Sequence, residues 1–532
     1  MKNCNEIISL PCELPVDFAD RVGLVYSNSV TQNHKKKKGQ FLTPAPIARF
    51  MGNMAESNKE HITILDPGCG IAILSSAIIE SLTSSNSSLQ SISLDVYEID
   101  EEILPYTRSV LNFIKEWLSG KKISFKYVLN TEDFILKNSA TLEKETSLFS
   151  NQEIMKYDFI ISNPPYFKLN KEDRRSKVSE SINSGQANIY AIFMAIASQM
   201  LRTNGQLIFI TPRSYASGSY FKSFREFFFR NVNLRQIHLF ESRKDAFNRD
   251  NVLQETIIIK AVEKKSPDDD SNVEITSSRG IADLFTPTIK CYPLNQILNF
   301  KSKEKILHLP INDEEEEIIE LFRSWNGSLN KYNIQISTGP VVAFRAPEYI
   351  RDIYENGTVF LVPLIWLHNV HKMLIDWPVS KPNKGQYIQI CPGSQSILIP
   401  NKNYILLRRF SAKDDKSRLI ASPYFAKSHA VDFIGIENKV NYIYRPKGEL
   451  EQSEVIGLAS ILNSKLFDNY FRIFNGNVNV SATELRQMPL PPLGLIKYIG
   501  RQVECCIPEF SQAEIDCLVN ETLMSKNALV YE

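Results

Sequence analysis

Short apolar runs alternate with longer, helically periodic stretches through the first half of the chain. Ile62-Thr63-Ile64-Leu65 reads as a strand, followed by a glycine-bearing turn and the helical stretch Ala72–Leu82. Ser93–Tyr97, Phe125–Leu129 and Tyr157–Ile161 read as further strands. Ala191–Leu201 is apolar on nearly every face, which predicts a buried helix, and Gly205 breaks it before the strand Leu207–Ile210. Ile237–Phe240 and Thr256–Val262 complete the series. Alternation of this kind predicts an α/β fold with a doubly wound, Rossmann-like, mainly parallel sheet.

Lys264–Asn272 is polar and reads as a surface turn between two strands, because Val273-Glu274-Ile275-Thr276 then alternates like an edge strand. A domain boundary is expected within residues 290–310, giving domains 1–295 and 296–532. The acidic run Asp313–Glu317 suits a solvated helix N-terminus, where carboxylates oppose the positive end of the dipole. The remainder mixes short strands with one helical segment, Glu454–Phe474, and predicts a mixed α/β second domain without internal repeats.

A length of 532 residues allows two or three domains. No apolar run reaches the ~18 residues that a membrane span needs. The N-terminus lacks a signal-peptide pattern, so an intracellular, cytoplasmic protein with no membrane partner is expected. The eight cysteines form no CxxC pair, which argues for free thiols and against a zinc site or any other bound metal. The net charge of +1 decides nothing about a polyanionic partner, since local clustering sets phosphate affinity. One cluster runs from Arg202 to Arg249, where nine basic residues face three acids, Glu226, Glu241 and Asp245.

Candidate chemistry gathers at the strand ends. Asp66-Pro67-Gly68-Cys69-Gly70 follows the first strand and opens a helix, with Gly68 and Gly70 permitting a tight turn against a ligand. The second strand ends in Glu98-Ile99-Asp100, and an acid there can accept hydrogen bonds from ribose hydroxyls. Glycine turn and acid together point to a nucleoside cofactor. After the third strand, Asp133 suits either an adenine amino group, with Phe134 packed on the ring, or a plain helix cap. Thr43 precedes Pro44 and an apolar helix, so a cap and a cofactor contact are both open to it. The run Lys35–Lys38 reads as a disordered basic arm, with contact to DNA phosphates as the alternative.

The fourth strand runs into Asn163-Pro164-Pro165-Tyr166. A planar exocyclic amine is a poor nucleophile because its lone pair is delocalised into the ring. The Asn163 side-chain oxygen and the Pro164 carbonyl can hold its two hydrogens and turn the lone pair outward. Pro164 and Pro165 keep both acceptors aimed, and Tyr166 offers a flat face to the target ring.

With these motifs in this order the chain resembles the gamma class of N6-adenine DNA methyltransferases. The resemblance implies a Rossmann-like methyltransferase domain, S-adenosylmethionine as cofactor, and double-stranded DNA as substrate. It also implies that the target adenine leaves the duplex for the active site. Under it, Thr43, Asp66, Gly68, Gly70, Glu98, Ile99, Asp133 and Phe134 would serve the cofactor. Asn188-Ile189-Tyr190-Ala191-Ile192-Phe193 resembles the class's next motif, with Phe193 lining the adenine pocket. Asp245-Ala246-Phe247 resembles the motif whose aromatic stacks on the extruded base, so Phe247 and Tyr166 would sandwich it.

The second half resembles a target-recognition domain. Arg345 lies where that domain would begin, and Arg408, Arg409 and Lys413 are candidates either to read bases or to grip phosphates. The Arg408-Arg409-Phe410 block and the ending Val480–Arg486 resemble PstI/BsuBI-type members, which implies a CTGCAG-like target. Three alternatives stay open: a glutamine methyltransferase acting on release factors, an RNA adenine or guanine methyltransferase, and a catalytically dead DNA-binding module. The ~40 residues before Thr43 are too few for a nuclease domain, which leaves a partner endonuclease to a separate chain.

Overall fold

The computed structural model describes residues 7–31, 42–143, 154–185, 187–240, 256–264, 271–300, 302–352, 360–411, 415–475, 480–505 and 511–524. The chain divides into two compact units, Met1–Ile311 and Asn312–Glu532. That division falls beyond the boundary expected at 295/296 because Leu298, Leu307 and Leu309 are buried in the core of the first unit.

The first unit is built on a sheet of β1 (His61–Asp66), β2 (Ser91–Tyr97), β3 (Ser124–Asn130), β4 (Tyr157–Ser162), β5 (Leu201–Pro212), β6 (Val232–Phe240), β7 (Thr256–Glu263), β8 (Asn272–Ser278) and β9 (Thr288–Pro293). Its spatial order is β3-β2-β1-β4-β5-β7-β6-β8-β9. β1 to β5 are mutually parallel, and β7 lies antiparallel between β5 and β6. β8 pairs in parallel with β6 and antiparallel with β9. The stretch beginning at Val273 is therefore an interior strand, and the edge expected there belongs to β9.

Two apolar layers cover the sheet. On one face Ile62, Ile64, Ile92, Leu94, Phe159 and Ile161 meet the helices α1 (Pro15–Ser29), α2 (Ala45–Asn53), α3 (Ile73–Ser85) and α4 (Leu104–Gly120). On the other, Leu65, Ile160, Leu207 and Phe209 meet α7 (Ile189–Gln199) and α8 (Lys222–Asn231), which follow the short helices α5 (Phe134–Asn138) and α6 (Arg174–Val178). All six residues of β4 are buried, as a parallel strand covered on both faces requires. This is the doubly wound Rossmann-like architecture, and its ligand-binding edge lies at the C-terminal ends of β1 to β4. Gly205 does not separate helix from strand: α7 ends at Gln199, and Gly205 lies inside β5 beside a register shift against β4. An added Cβ there would come within 2.9 Å of the Tyr157 carbonyl oxygen.

The second unit is mixed α/β, with a four-stranded and a five-stranded sheet among its described residues. Its first helix, α9 (Asp313–Ser324), opens on four acids and is capped by Asn312, whose side chain accepts from the Glu315 amide at 2.8 Å. The segment expected as one helix over 454–474 is two, α10 (Gln452–Asn463) and α11 (Lys465–Phe474). Ser464 breaks it with an extended backbone and accepts from the Phe467 amide at 3.3 Å. Phe322 of α9 stacks on Tyr470 of α11 at 3.7 Å between ring centroids. α10 crosses α12 (Leu493–Glu504) through Gly457 and Gly500, whose Cβ positions would fall 2.0 Å and 1.9 Å from carbonyl oxygens of the facing helix. No helix among the described residues is long and apolar enough to cross a membrane.

Candidate active site

The glycine turn after β1 is held from beneath. Asp66 is fully buried and its carboxylate accepts from the Ser75 hydroxyl at 2.7 Å. Burial pushes its carboxyl up to about 7 even though the Ser75 hydroxyl and Gly68 amide hydrogen bonds work against that shift. Asp66 thus props the turn, and it is not on the wall of the cavity described below. Gly70 adopts φ +53°, where a side chain would be strained. Its carbonyl accepts from the Thr107 hydroxyl at 2.6 Å, and its amide donates to Glu98 at 3.1 Å.

Glu98, at the end of β2, also accepts from the Asp100 amide at 2.8 Å. Burial raises its pKa, opposed in part by these amide donors. Glu98 lines a cavity of about 370 Å³ together with Gly68, Gly70, Ile99, Asp133, Phe134, Phe193, Asn163 and Pro165. The site residues expected from strands 1, 2, 3 and 4 thus converge on one pocket, of a size suited to a cofactor. Phe134 and Phe193 pack at 5.1 Å between centroids. Ile99 is 47% exposed, an apolar side chain next to a buried acid. Asp133 does serve as the cap of α5, accepting from the Leu136 amide at 3.0 Å, and it also borders the cavity.

The Asn-Pro-Pro-Tyr segment leaves β4 at the same edge. The Asn163 amide nitrogen donates to the Thr43 hydroxyl at 3.0 Å, and the Tyr166 hydroxyl donates to the Asn163 oxygen at 2.6 Å. The same hydroxyl lies 3.0 Å from the Ile210 carbonyl oxygen on β5. Thr43 is therefore no helix cap. α2 starts at Ala45 after Pro44, without a side-chain cap, and the buried Thr43 bonds to Asn163 instead. Tyr166 is 9% exposed, packed edge-on against Tyr190, with a hydroxyl that fixes Asn163. A ring expected to present a flat face is thus largely enclosed. Neither Thr43, Pro164 nor Tyr166 lies on the cavity wall, whereas Asn163 and Pro165 do.

Sequence reasoning missed Arg175 on α6, which lines the pocket and holds Asp133 at 3.6 Å and Asp173 at 2.6 Å. Its only signal was a basic residue shortly after the Asn-Pro-Pro-Tyr segment. Tyr97, Asp100 and Phe167 also line the pocket, at strand ends already singled out. Phe247, Lys413 and Lys35–Lys38 lie outside the described residues. Within the Arg202–Arg249 cluster, Arg243, Lys244 and Arg249 lie outside the described residues, and several of the others are engaged by the fold. Arg225 is fully buried and donates to the carbonyls of Tyr215, Gly218 and Glu304, while Arg202 pairs with Asp158 and Lys222 with Glu304. In the second unit Arg345 is exposed, Arg408 donates to the Val370 carbonyl at 2.5 Å, and Arg409 donates to the Asn438 carbonyl at 3.1 Å. Among the described residues no group of His, Cys, Asp and Glu side chains could hold a metal ion.

Residues 87–247 match the family described as Eco57I restriction-modification methylase. That span contains Glu98, Asp133 and the Asn-Pro-Pro-Tyr segment. The chain is 32% identical over 514 residues to the Type II methyltransferase M.PstI of Providencia stuartii, covering 97% of this chain and 98% of that one. It is 32% identical over 498 residues to M.BsuBI of Bacillus subtilis, covering 92% and 95%.

Proposed function

This chain belongs to the Type II methyltransferases of restriction-modification systems, and from that membership we propose that it methylates the N6 amino group of an adenine extruded from double-stranded DNA. It is a DNA methyltransferase whose cofactor is S-adenosylmethionine. The residues present fit that cofactor. Glu98 offers a carboxylate for the ribose hydroxyls, and Ile99, Phe134 and Phe193 offer apolar surface for the purine. Asp133 stands by as an acceptor for the adenine amino group. When bound, S-adenosylmethionine supplies an electrophilic methyl group on a sulfonium leaving group.

Asn163 then does the work of orientation. Its oxygen accepts one hydrogen of the target amine, and the Pro164 carbonyl is the proposed acceptor of the other. Held this way the nitrogen turns its lone pair toward the methyl group. The bound cofactor would supply the methyl group, its S–C bond giving way to the new N–C bond, and the amine's extra proton would pass to water afterwards. No general base is needed before transfer.

The observation that carries this reading is Asn163 on the cavity wall, tied on one side to Thr43 and on the other to Tyr166. Phe247 is the proposed stacking partner of the extruded base, and the second unit the proposed reader of the target sequence. A cognate endonuclease on a separate chain is the proposed partner. Modified-base sequencing of DNA from cells expressing the protein should find N6-methyladenine at one short sequence, with a CTGCAG-like site as the first candidate. Asn163→Ala should abolish the mark, with a rate loss of ~10²-fold or more, and still bind the cofactor. A cytosine mark, or full turnover by Asn163→Ala, would overturn the proposal.

A further inference from the structure

In the second unit the strands Gln335–Thr338 and Tyr404–Arg408 flank Val440–Tyr444 on opposite sides, both antiparallel to it. They therefore run the same way and leave the sheet at the same end. Beyond the first, the Val341 amide donates to the Ile436 carbonyl at 3.0 Å, and the Val341 carbonyl accepts from the Asn438 amide at 2.8 Å. Beyond the second, the Arg409 amide donates to the Lys439 carbonyl at 2.9 Å. The two emerging segments are thus about two strand spacings apart, on the order of 10 Å.

Each segment ends in an arginine–phenylalanine pair. The Arg345 guanidinium lies 5.5 Å from the Phe344 ring centre, and that of Arg409 5.7 Å from the ring of Phe410. Phe344 is 78% exposed. Its turn is rigid: Val341 before it and Ala346 after it are buried, and the Arg345 amide donates to the Val342 carbonyl at 2.8 Å. Among the described residues the Arg345 guanidinium has no carboxylate partner and no hydrogen-bond acceptor; its contact is the Phe344 ring. Lys439 is exposed beside them, and the nearby acid Glu437 is buried between Lys384 and Lys439. A rigid turn that holds a large aromatic ring and an unpaired guanidinium in water meets its match in a partner with stacked rings and negative charge.

We propose that this sheet end grips duplex DNA, with Phe344 entering as an aromatic wedge at a base step and Arg345 beside it on the backbone. The inference rests on duplex DNA being the substrate. A ring inserted between bases is stabilised by stacking and loses nothing to salt, whereas a guanidinium on phosphate adds to the salt dependence.

The test uses full-length protein, wild type and the variants Phe344→Ala, Phe344→Trp and Arg345→Ala. Equilibrium binding is measured by fluorescence anisotropy across a salt series, on a duplex carrying the site mapped by modified-base sequencing. Phe344→Ala should weaken binding about 10- to 100-fold, the size of one base–aromatic stack, with an unchanged salt slope. Phe344→Trp should keep most of the affinity, and Arg345→Ala should lower the salt slope by about one. Melting temperature and cofactor affinity should match wild type in all three. Unchanged DNA binding by Phe344→Ala, while wild type methylates its site normally, would overturn this inference alone. So would a change confined to the oligomeric state of that variant, which would make the surface a protein contact. Failure of wild type to methylate DNA at all would take the proposed function down with it.

Discussion

Replacing Tyr166 with phenylalanine separates two roles for one side chain. The substitution keeps the ring and its packing against Tyr190 and deletes only the hydroxyl. That hydroxyl is buried, 2.6 Å from the Asn163 oxygen and 3.0 Å from the Ile210 carbonyl. Leaving such acceptors short of a donor costs about 1–3 kcal/mol of stability. The effect on turnover follows from Asn163. The side-chain tie to Tyr166 is lost and the one to Thr43 remains. A misplacement of about 1 Å in a positioning group costs on the order of 10²-fold in rate, so a partly restrained asparagine should lose about 10- to 100-fold in kcat. The KM for the cofactor should hold, since Tyr166 is off the cavity wall. Steady-state transfer of a tritiated methyl group at saturating cofactor and DNA reads kcat, a single-turnover run isolates the transfer step, and a thermal melt reads the stability cost. If the ring acts only by stacking on the target base, phenylalanine serves as well as tyrosine. Wild-type turnover in this variant, with lowered stability, would show that the hydroxyl is a packing tie and that Asn163 needs no help from it.

Three further outcomes are expected. Glu98→Gln should weaken cofactor binding by about 1.5–3 kcal/mol, the worth of a hydrogen bond to a charged group. In wild type that affinity should fall as pH drops through the raised pKa of Glu98, because the buried carboxyl then holds a proton; calorimetry at several pH values checks both. Asp66 holds its proton to about pH 7 when folded and to 3.8 otherwise, so its contribution to stability is full below 3.8 and is lost as pH rises to about 7. Asp66→Asn should remove a slope on the order of 1.4 kcal/mol per pH unit across that window, seen as a difference in denaturant midpoints. Gly500→Ala would set a Cβ 1.9 Å from the Ser453 carbonyl and should cost about 1–3 kcal/mol by forcing α10 and α12 apart. Its melting temperature should drop while cofactor affinity, a property of the first unit, stays put.

The parts legible in the sequence were those where chemistry sits on contiguous residues at a strand end. The glycine turn, Glu98 and Asn163 each follow an apolar run, so the run that predicts the strand also places the group at the sheet's ligand edge. What escaped depends on partners distant in the chain. Nothing local to Thr43 says that it meets a residue 120 positions later, and nothing around Tyr166 says which way its hydroxyl points. The burial of Arg225 escaped for the same reason. Arg225 reads as surface charge until Tyr215, Gly218 and Glu304 surround it with carbonyls. The break at Ser464 was legible in principle, since Asn463-Ser464 is a cap-forming pair, but unbroken apolar periodicity on both sides concealed it.

The tie between Thr43 and Asn163 bears on how this protein can be cut and recombined. A fragment trimmed to the family-matched stretch 87–247 keeps Asn163, Tyr166 and Glu98 at the end of β2, yet omits the threonine that restrains the asparagine's other side. A chimera that swaps the segment ahead of β1 for a foreign leader would inherit every residue of the proposed catalytic signature and still aim it loosely. The unit of exchange that preserves function therefore begins before Thr43, and any shuffled library with a crossover between Thr43 and Asn163 must carry both sides of that bond from the same parent.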